Sequence, residues 1–193
     1  RNNFKADKIK KKLMNKYQGI FIDSSITSEI NTYHSMGFIR GVTTNPTILS
    51  KDGLKGGYEA IKIRIKEISQ LVSPYPVSVE LLTNDPDKML KQALELYSLN
   101  KNVVIKVTIH GPNGEIDNLK IINELEKNSI PVNATAMMNA QQCLLAAMSG
   151  ASYVSLFCGR INNMGYDSNN EIKKTRILLD KFDLDSKIIA CSL

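Results

Sequence analysis

The sequence has no long uncharged hydrophobic run and few cysteines or histidines. Nowhere among its 193 residues do about 20 consecutive apolar residues occur, the length that a membrane helix requires. No charged and then apolar leader opens the chain. We therefore expect no membrane partner and a cytoplasmic location. The three cysteines, Cys143, Cys158 and Cys191, are odd in number and are not spaced with histidines as metal ligands, so we expect no disulfide, metal or zinc site.

Charge of either sign is also moderate, with 25 Lys and Arg residues against 19 Asp and Glu residues and a net charge of +6. Part of the excess lies between Lys5 and Lys16, where Ile9 and Leu13 stand four residues apart among lysines. This spacing predicts a basic amphipathic helix within residues 1–18. Neither aromatic platforms nor a recognition motif accompany the lysines, so we expect no nucleic-acid partner and instead an attraction for anionic substrates.

Short apolar runs alternate with amphipathic stretches, and no proline-rich or low-complexity linker divides them. The apolar runs predict seven strands, over residues 19–24, 41–45, 76–82, 103–109, 131–138, 153–158 and 187–192. The amphipathic stretches predict helices over residues 25–36, 57–72, 85–99, 115–128, 139–149 and 171–182. The regular alternation, without a Gly-x-Gly-x-x-Gly turn, favours a (β/α)8 TIM barrel over a dinucleotide-binding sheet. We expect one catalytic α/β domain over residues 19–193, with the eighth strand missing at the C-terminus.

One lysine interrupts an apolar strand. Lys106 stands in the middle of the run VVIKVTI, residues 103–109. Burial disfavours the charged ammonium form, and this is the usual way of making a lysine a Schiff-base nucleophile. The alternative is an edge strand whose lysine reaches out to water. The run by itself leaves both interpretations open.

Polar residues recur at alternate positions near the C-terminal ends of the predicted strands. They are Asp23, Thr43 and Asn45, Ser78 and Glu80, Lys106 and Thr108, Asn133 and Thr135, and Ser155, which Phe157 follows. Alternation places each pair on one face of its strand. In a barrel this face is the interior, and active sites are built at the C-terminal rim. The pattern therefore predicts a site shared by six strands.

The segment GVTTNPT, residues 41–47, closely resembles the signature of transaldolases and fructose 6-phosphate aldolases. Later segments agree in the same order: FID at 21–23, VE at 79–80, VIKV at 104–107, NAT at 133–135 and SLFCGRI at 155–161. The resemblance extends from about residue 19 to residue 193.

The resemblance implies a metal-free and cofactor-free class I aldol mechanism on a (β/α)8 barrel. Lys106 matches the lysine that forms a Schiff base with the ketose carbonyl, and Asp23 matches the acid/base at the C4 hydroxyl. Glu80 and Thr135 match the pair that holds a catalytic water. Residues at the positions of substrate ligands are Asn45, Asn133 and Ser155 for the sugar hydroxyls, with Thr43 beside them, and Arg160 and Ser192 for the phosphate.

Two branches of the family differ in what happens to the dihydroxyacetone unit. The aldolase branch releases it, whereas a transaldolase transfers it to an aldose phosphate. Glu80 and Phe157 resemble the transaldolase branch, in place of the glutamine and tyrosine of the aldolases. Fructose 6-phosphate aldolase activity is the alternative, and a non-catalytic sugar-phosphate-binding barrel is a further one. The resemblance also suggests a homo-oligomer.

Two loops depart from the family pattern or stay ambiguous. His110 stands where the family typically has serine or threonine, and the turn at residues 111–114 follows it. It is either a substrate contact or a solvated loop residue. The segment 162–167 is either a small lid or an ordinary surface connection.

Overall fold

The computed structural model of the protein describes residues 19–192, so the predicted basic helix within residues 1–18 lies outside the described part. The described chain forms two compact units. The first comprises residues 19–79 and 98–103, and the second comprises residues 80–97 and 104–192. The expectation of one catalytic domain stays a prediction.

Strands and helices alternate along the described chain. The strands are β1 (Ile20–Asp23), β2 (Ile39–Thr43), β3 (Val77–Glu80), β4 (Val103–Thr108), β5 (Val132–Met137), β6 (Tyr153–Phe157) and β7 (Lys187–Cys191). The helices are α1 (Thr27–Ser35), α2 (Pro46–Lys51), α3 (Gly57–Leu71), α4 (Pro86–Tyr97), α5 (Asn118–Lys127), α6 (Ala140–Met148), α7 (Cys158–Asn163) and α8 (Ser168–Lys181). Strand neighbours follow chain order, and the paired strands are parallel. The seven predicted strands are thereby confirmed.

Two short helices were not predicted from the sequence. Helix α2 begins at Pro46, directly after Asn45, whose side-chain oxygen accepts a hydrogen bond from the backbone N–H of Ile48. Asparagine before proline is a good helix start, but six residues are too few to show an apolar periodicity. Helix α7 begins at Cys158 without a side-chain cap, so the sequence carries no start signal for it.

The segment 162–167, predicted as either a lid or a connection, joins α7 to α8 tightly. The side-chain oxygen of Asn162 accepts the backbone N–H of Ser168, and the N–H of Tyr166 bonds to the carbonyl of Ile161. These bonds favour the ordinary connection. Helix α8 therefore begins at Ser168, three residues before the predicted start.

In the first unit, β1 and β2 pair so that Phe21 lies opposite Gly41. A Cβ atom on Gly41 would lie 2.7 Å from atoms of the Phe21 ring, so only glycine lets the ring pack flat on β2. Behind these strands, α1 and α3 pack on an apolar cluster made of Ile30, Val42, Ile68, Val72 and Val77. This core fixes the strand ends that carry polar residues.

In the second unit, Glu126 on α5 joins the starts of two strands. One of its oxygens, Oε1, accepts backbone N–H groups from Val132 and Ser152, each at 2.7 Å. Burial raises the pKa of this carboxyl above its ordinary value, although both hydrogen bonds oppose the shift. Glu126 thus aligns β5 with the segment that leads into β6. Among residues 19–192, no helix has the length and apolar character needed to cross a membrane.

Candidate active site

In the first unit, two polar residues end neighbouring strands. Asp23 is the last residue of β1, Thr43 is the last residue of β2, and the two are paired in register. The Thr43 hydroxyl donates a 2.7 Å hydrogen bond to Asp23 Oδ1. Thr43 is buried whereas Asp23 is exposed, so the threonine holds a carboxylate that faces solvent. This hydrogen bond limits the rotation of the Asp23 side chain.

Asn45 follows Thr43 and caps α2. Its Oδ1 is already bonded to the N–H of Ile48 at 2.9 Å. Its amide N–H groups therefore remain available for donation to a ligand. The cap also fixes the side chain, because the helix start and the amide orientation depend on one hydrogen bond.

In the second unit, β4 and β5 present four polar residues in register. Lys106 lies opposite Asn133, and Thr108 lies opposite Thr135. Paired residues of parallel strands project from the same face. Except for Thr108, which is half-buried, all are buried, and the Lys106 side chain is only 9% exposed.

The strand of Lys106 is not an edge strand. On one side it pairs with β5, and on the other side the Lys106 carbonyl accepts the N–H of Leu81 at 3.1 Å. The edge-strand interpretation of the sequence is therefore wrong, because both sides of β4 are occupied and the Lys106 side chain is largely buried. A lysine buried in this way requires a polar partner or a function.

Glu80 is a carboxylate partner of Lys106. The distance from Lys106 Nζ to Glu80 Oε2 is 3.5 Å, and the Glu80 side chain is 22% exposed. Burial raises the pKa of the Glu80 carboxyl, and the positive charge and hydrogen bond of Lys106 partly oppose this. Such a carboxyl can hold a proton at higher pH than an ordinary glutamate, which suits proton exchange with a nearby amine or water.

Thr135 lies beside a local distortion of β5. Its hydroxyl is buried and has no hydrogen-bond partner among residues 19–192. The following residue, Ala136, has a left-handed φ of 63°, and the pairing with β6 shifts register between Ala134 and Met137. A non-glycine residue in this conformation costs about 1–2 kcal/mol. Strain of this kind, next to an unsatisfied polar group, is typical of functional sites.

Asn133 and Ser155 form a buried pair across β5 and β6. The Ser155 hydroxyl donates to Asn133 Oδ1 at 2.7 Å, and both residues are at most 1% exposed. The bond orients the asparagine amide from the strand beside it. Their predicted contact with sugar hydroxyls stays a prediction.

A cationic side chain lies at the ends of β6 and β7. The Arg160 guanidinium carbon stands 5.5 Å from the centre of the Phe157 ring, and Arg160 is exposed. Ser192 directly follows β7, and its carbonyl accepts the N–H of Gly159, which ties it to the first turn of α7. Arg160 and Ser192 are therefore both exposed and lie close along the chain to the Gly159–Ser192 bond, and their predicted contact with a phosphate stays a prediction.

Sequence reasoning left His110 open and missed its partner Gln142 altogether. His110 lies just past β4, and its Nε2 is 2.8 Å from Gln142 Nε2 on α6. Its Nδ1 is buried without a partner among the described residues. The two ring nitrogens are thus shielded or bonded within the chain, although His110 as a whole is half-buried, and the choice between the two interpretations stays open. No local pattern links residues 110 and 142, although a glutamine three residues after a capping Asn139 signals a fixed helix start.

The site thus defines a class: an α/β protein whose parallel strands carry a buried lysine, paired with a carboxylate, at their C-terminal ends. Residues 20–189 match the family described as Transaldolase/Fructose-6-phosphate aldolase. The chain belongs to this family, and its seven parallel strands are those of the family's (β/α)8 barrel.

Curated relatives cover most of the chain. It is 36% identical over 173 residues to a "Probable transaldolase" of Thermoanaerobacter sp. (strain X514), an alignment that covers 90% of this chain and 75% of the relative. A "Probable transaldolase" of Syntrophomonas wolfei is 38% identical over 174 residues, with 90% and 76% coverage. One from Methanococcus maripaludis is 35% identical over 173 residues, with 90% and 75% coverage.

Proposed function

We propose that the protein is a transaldolase that acts through a Schiff base on Lys106. It transfers a dihydroxyacetone unit from sedoheptulose 7-phosphate or fructose 6-phosphate to an aldose phosphate. The observation that carries the proposal is the buried Lys106 side chain, whose amine lies 3.5 Å from the Glu80 carboxylate. Lys106 belongs to β4, a strand that is paired on both sides. Burial beside a proton-exchanging carboxyl is what a nucleophilic lysine needs.

The proposed chemistry follows the atoms of the donor. Lys106 Nζ attacks the C2 carbonyl carbon, and loss of water leaves an iminium ion. Asp23 accepts the proton of the C4 hydroxyl while the C3–C4 bond breaks, and the electron pair of that bond moves into the iminium to give an enamine. The aldose phosphate leaves, the enamine carbon attacks the carbonyl carbon of the second aldose, and Asp23 returns its proton to the oxygen of that carbonyl. Water held by Glu80 and Thr135 then hydrolyses the new iminium.

Substrate binding is assigned to the remaining matched residues. The amide of Asn45, together with Asn133 and Ser155, contacts sugar hydroxyls. Thr43 orients Asp23, as the hydrogen bond between them supports. Arg160 and Ser192 bind the phosphate, in agreement with their exposed position and the planar donor fork of arginine.

Transfer is favoured over release of dihydroxyacetone by Glu80 and Phe157. The phenyl ring of Phe157, which lies beside the Arg160 guanidinium, has no hydroxyl group. It therefore cannot activate a water molecule to attack the enamine intermediate. Fructose 6-phosphate aldolase activity is the second candidate. Assays with and without erythrose 4-phosphate separate the two: acceptor-independent release of dihydroxyacetone would contradict the transferase.

The Schiff base is tested by borohydride trapping with fructose 6-phosphate, followed by mass spectrometry of peptides. We expect one adduct of the size of dihydroxyacetone, on Lys106. Lys106→Met should abolish the adduct and lower kcat by at least about 1,000-fold. Lys101→Met, at an exposed lysine just before β4, is the matched control and should keep both. A folded wild-type chain that binds the sugar without an adduct would favour the non-catalytic binding barrel.

A further inference from the structure

The candidate His110 lies at the same end of the second unit as Lys106. The pairing of β4 with β5 continues past the last residue of β4, because the N–H of Ile109 bonds to the carbonyl of Thr135 at 2.9 Å. His110 therefore follows Lys106 and Thr108 at the next alternate position. It stands between the C-terminal end of β4 and the start of α6, where (β/α)8 barrels place their substrates.

Hydrogen bonds around Gln142 determine which ring nitrogen of His110 carries the proton. Gln142 Oε1 accepts the backbone N–H of Met138 at 2.7 Å, so the amide nitrogen of Gln142 is the atom that faces His110. An amide nitrogen donates and does not accept. His110 Nε2 must then be the acceptor, and the proton of the neutral ring lies on Nδ1.

The backbone around His110 is held in place without a ligand. The Thr108 hydroxyl donates to the His110 carbonyl at 2.9 Å, and the amide of Asn118 donates to the Thr108 carbonyl at 2.9 Å. The N–H of Gly111 bonds to the carbonyl of Glu115 and closes the turn that follows. The ring thus has a fixed position and a fixed tautomer.

The remaining donor has no acceptor. His110 Nδ1 is fully shielded and lacks a hydrogen-bond partner among the described residues. Native proteins rarely leave a buried donor unsatisfied, and the exceptions call for a bound molecule or a function. A second unsatisfied group, the hydroxyl of Thr135, lies on the neighbouring strand at the same end of the unit. Two polar groups at this end of the unit therefore lack the hydrogen-bond partners that a polar ligand would supply.

We propose that His110 is a substrate-binding residue whose Nδ1–H donates a hydrogen bond to a hydroxyl oxygen of the bound sugar phosphate. The proposal rests on the sugar-phosphate substrate assigned above. A neutral ring fixed by Gln142 suits a neutral hydroxyl oxygen, whereas the exposed Arg160 suits the phosphate.

The chain contains only two histidines, so nuclear magnetic resonance can observe His110 directly. In a chain labelled with ¹⁵N in histidine, we expect His110 to show the Nδ1–H tautomer. Saturation with fructose 6-phosphate should shift its Nδ1–H signal. His34, on α1 with its ring centre 5.8 Å from that of Tyr75, is the internal control and should not shift. A His110 response to inorganic phosphate alone would contradict the hydroxyl assignment.

Two substitutions distinguish the roles of the two ring nitrogens of His110. His110→Asn keeps an N–H near the position of Nδ1, whereas His110→Gln places its amide near Nε2 and removes the Nδ1 donor. We expect His110→Gln to raise the KM for fructose 6-phosphate about tenfold with little change in kcat, and His110→Asn to raise it less. His34→Gln is the control and should leave KM unchanged. Equal effects of the two His110 substitutions would contradict the Nδ1 contact.

Borohydride trapping on the same sample distinguishes failure of this inference from failure of the catalytic proposal. An adduct on Lys106 together with a shift at His110 supports both. An adduct without the shift overturns the His110 contact alone, and a shift without an adduct overturns the Schiff base alone. Neither an adduct nor a shift overturns both.

Discussion

At the scale of single residues, polar side chains within each unit fix one another. Thr43 orients Asp23, Ser155 orients Asn133, and Glu80 lies beside Lys106. In the first two pairs the hydrogen bond limits the rotation of both side chains, and in each pair one member is proposed to act on the substrate. Such support matters because a displacement of about 1 Å can cost a factor of about 100 in rate.

Removal of the Thr43 hydroxyl tests this support. Thr43→Val keeps the shape of the buried side chain but loses the 2.7 Å bond to Asp23. We expect kcat to fall by about 10- to 100-fold with little change in KM, because Asp23 is then free to rotate. Thr43→Ser keeps the hydroxyl and should retain most activity. Steady-state kinetics with fructose 6-phosphate and erythrose 4-phosphate provides the measurement, and an equal loss in both variants would contradict an orienting role.

Sequence reasoning at this scale identified the residue types but not their contacts. The alternation of Lys106 with Thr108 and of Asn133 with Thr135 is visible in the sequence, because a strand repeats every two residues. The bond from Gln142 to His110 spans 32 positions and follows no period, so it appears only in the folded chain.

At the scale of elements, a single side chain can set the alignment of two strands. Glu126 belongs to α5, yet its carboxylate accepts backbone N–H groups at the start of β5 and just before β6. The sequence predicted the three elements but gave no sign of this connection, because an isolated glutamate on a helix resembles any solvated charge.

The raised pKa of Glu126 predicts how its substitution depends on pH. The carboxyl binds its proton more tightly in the folded chain than at its ordinary value of 4.5. The raised pKa therefore adds to the free energy of unfolding of the wild type at low pH. This contribution is lost as the pH rises from 4.5 through the higher pKa that Glu126 has in the folded chain. Glu126→Gln removes the titration and keeps an acceptor oxygen. We expect its free energy of unfolding, relative to the wild type, to increase between about pH 4 and about pH 8.

Urea unfolding at the two pH values checks this expectation. Glu124→Gln changes an exposed glutamate on the same helix and is the matched control. A relative stability of Glu126→Gln that falls as pH rises would contradict the assignment. It would mean that the ionised form of Glu126 is the one that the fold favours.

At the scale of the whole molecule, the net charge of +6 is the property that acts on anionic substrates at a distance. Residues 1–18 supply this excess, because residues 19–193 carry 18 basic and 18 acidic side chains, so an attraction for negatively charged sugar phosphates comes from the N-terminal segment. The expected homo-oligomer and the cytoplasmic location stay predictions.

Ionic strength tests this long-range attraction. The Debye length falls from about 30 Å at 0.01 M to about 8 Å at 0.15 M salt. Over this range we expect kcat/KM for fructose 6-phosphate to fall about threefold or more, with kcat nearly constant. Uncharged fructose and glyceraldehyde as donor and acceptor are the control and should respond little. A kcat/KM that does not depend on salt for the phosphorylated pair would argue against steering.

The sequence by itself determined the order of the seven strands and of the longer helices, and it placed Lys106 among apolar neighbours, because periodicity and composition act over a few residues. It also determined the family, through short segments such as residues 41–47 that keep their order along the chain. Only the tertiary structure decided that β4 is paired on both sides, that Thr43 holds Asp23 and that Gln142 fixes the His110 ring. These contacts join residues 20 or more positions apart, and packing rather than local preference brings such residues together.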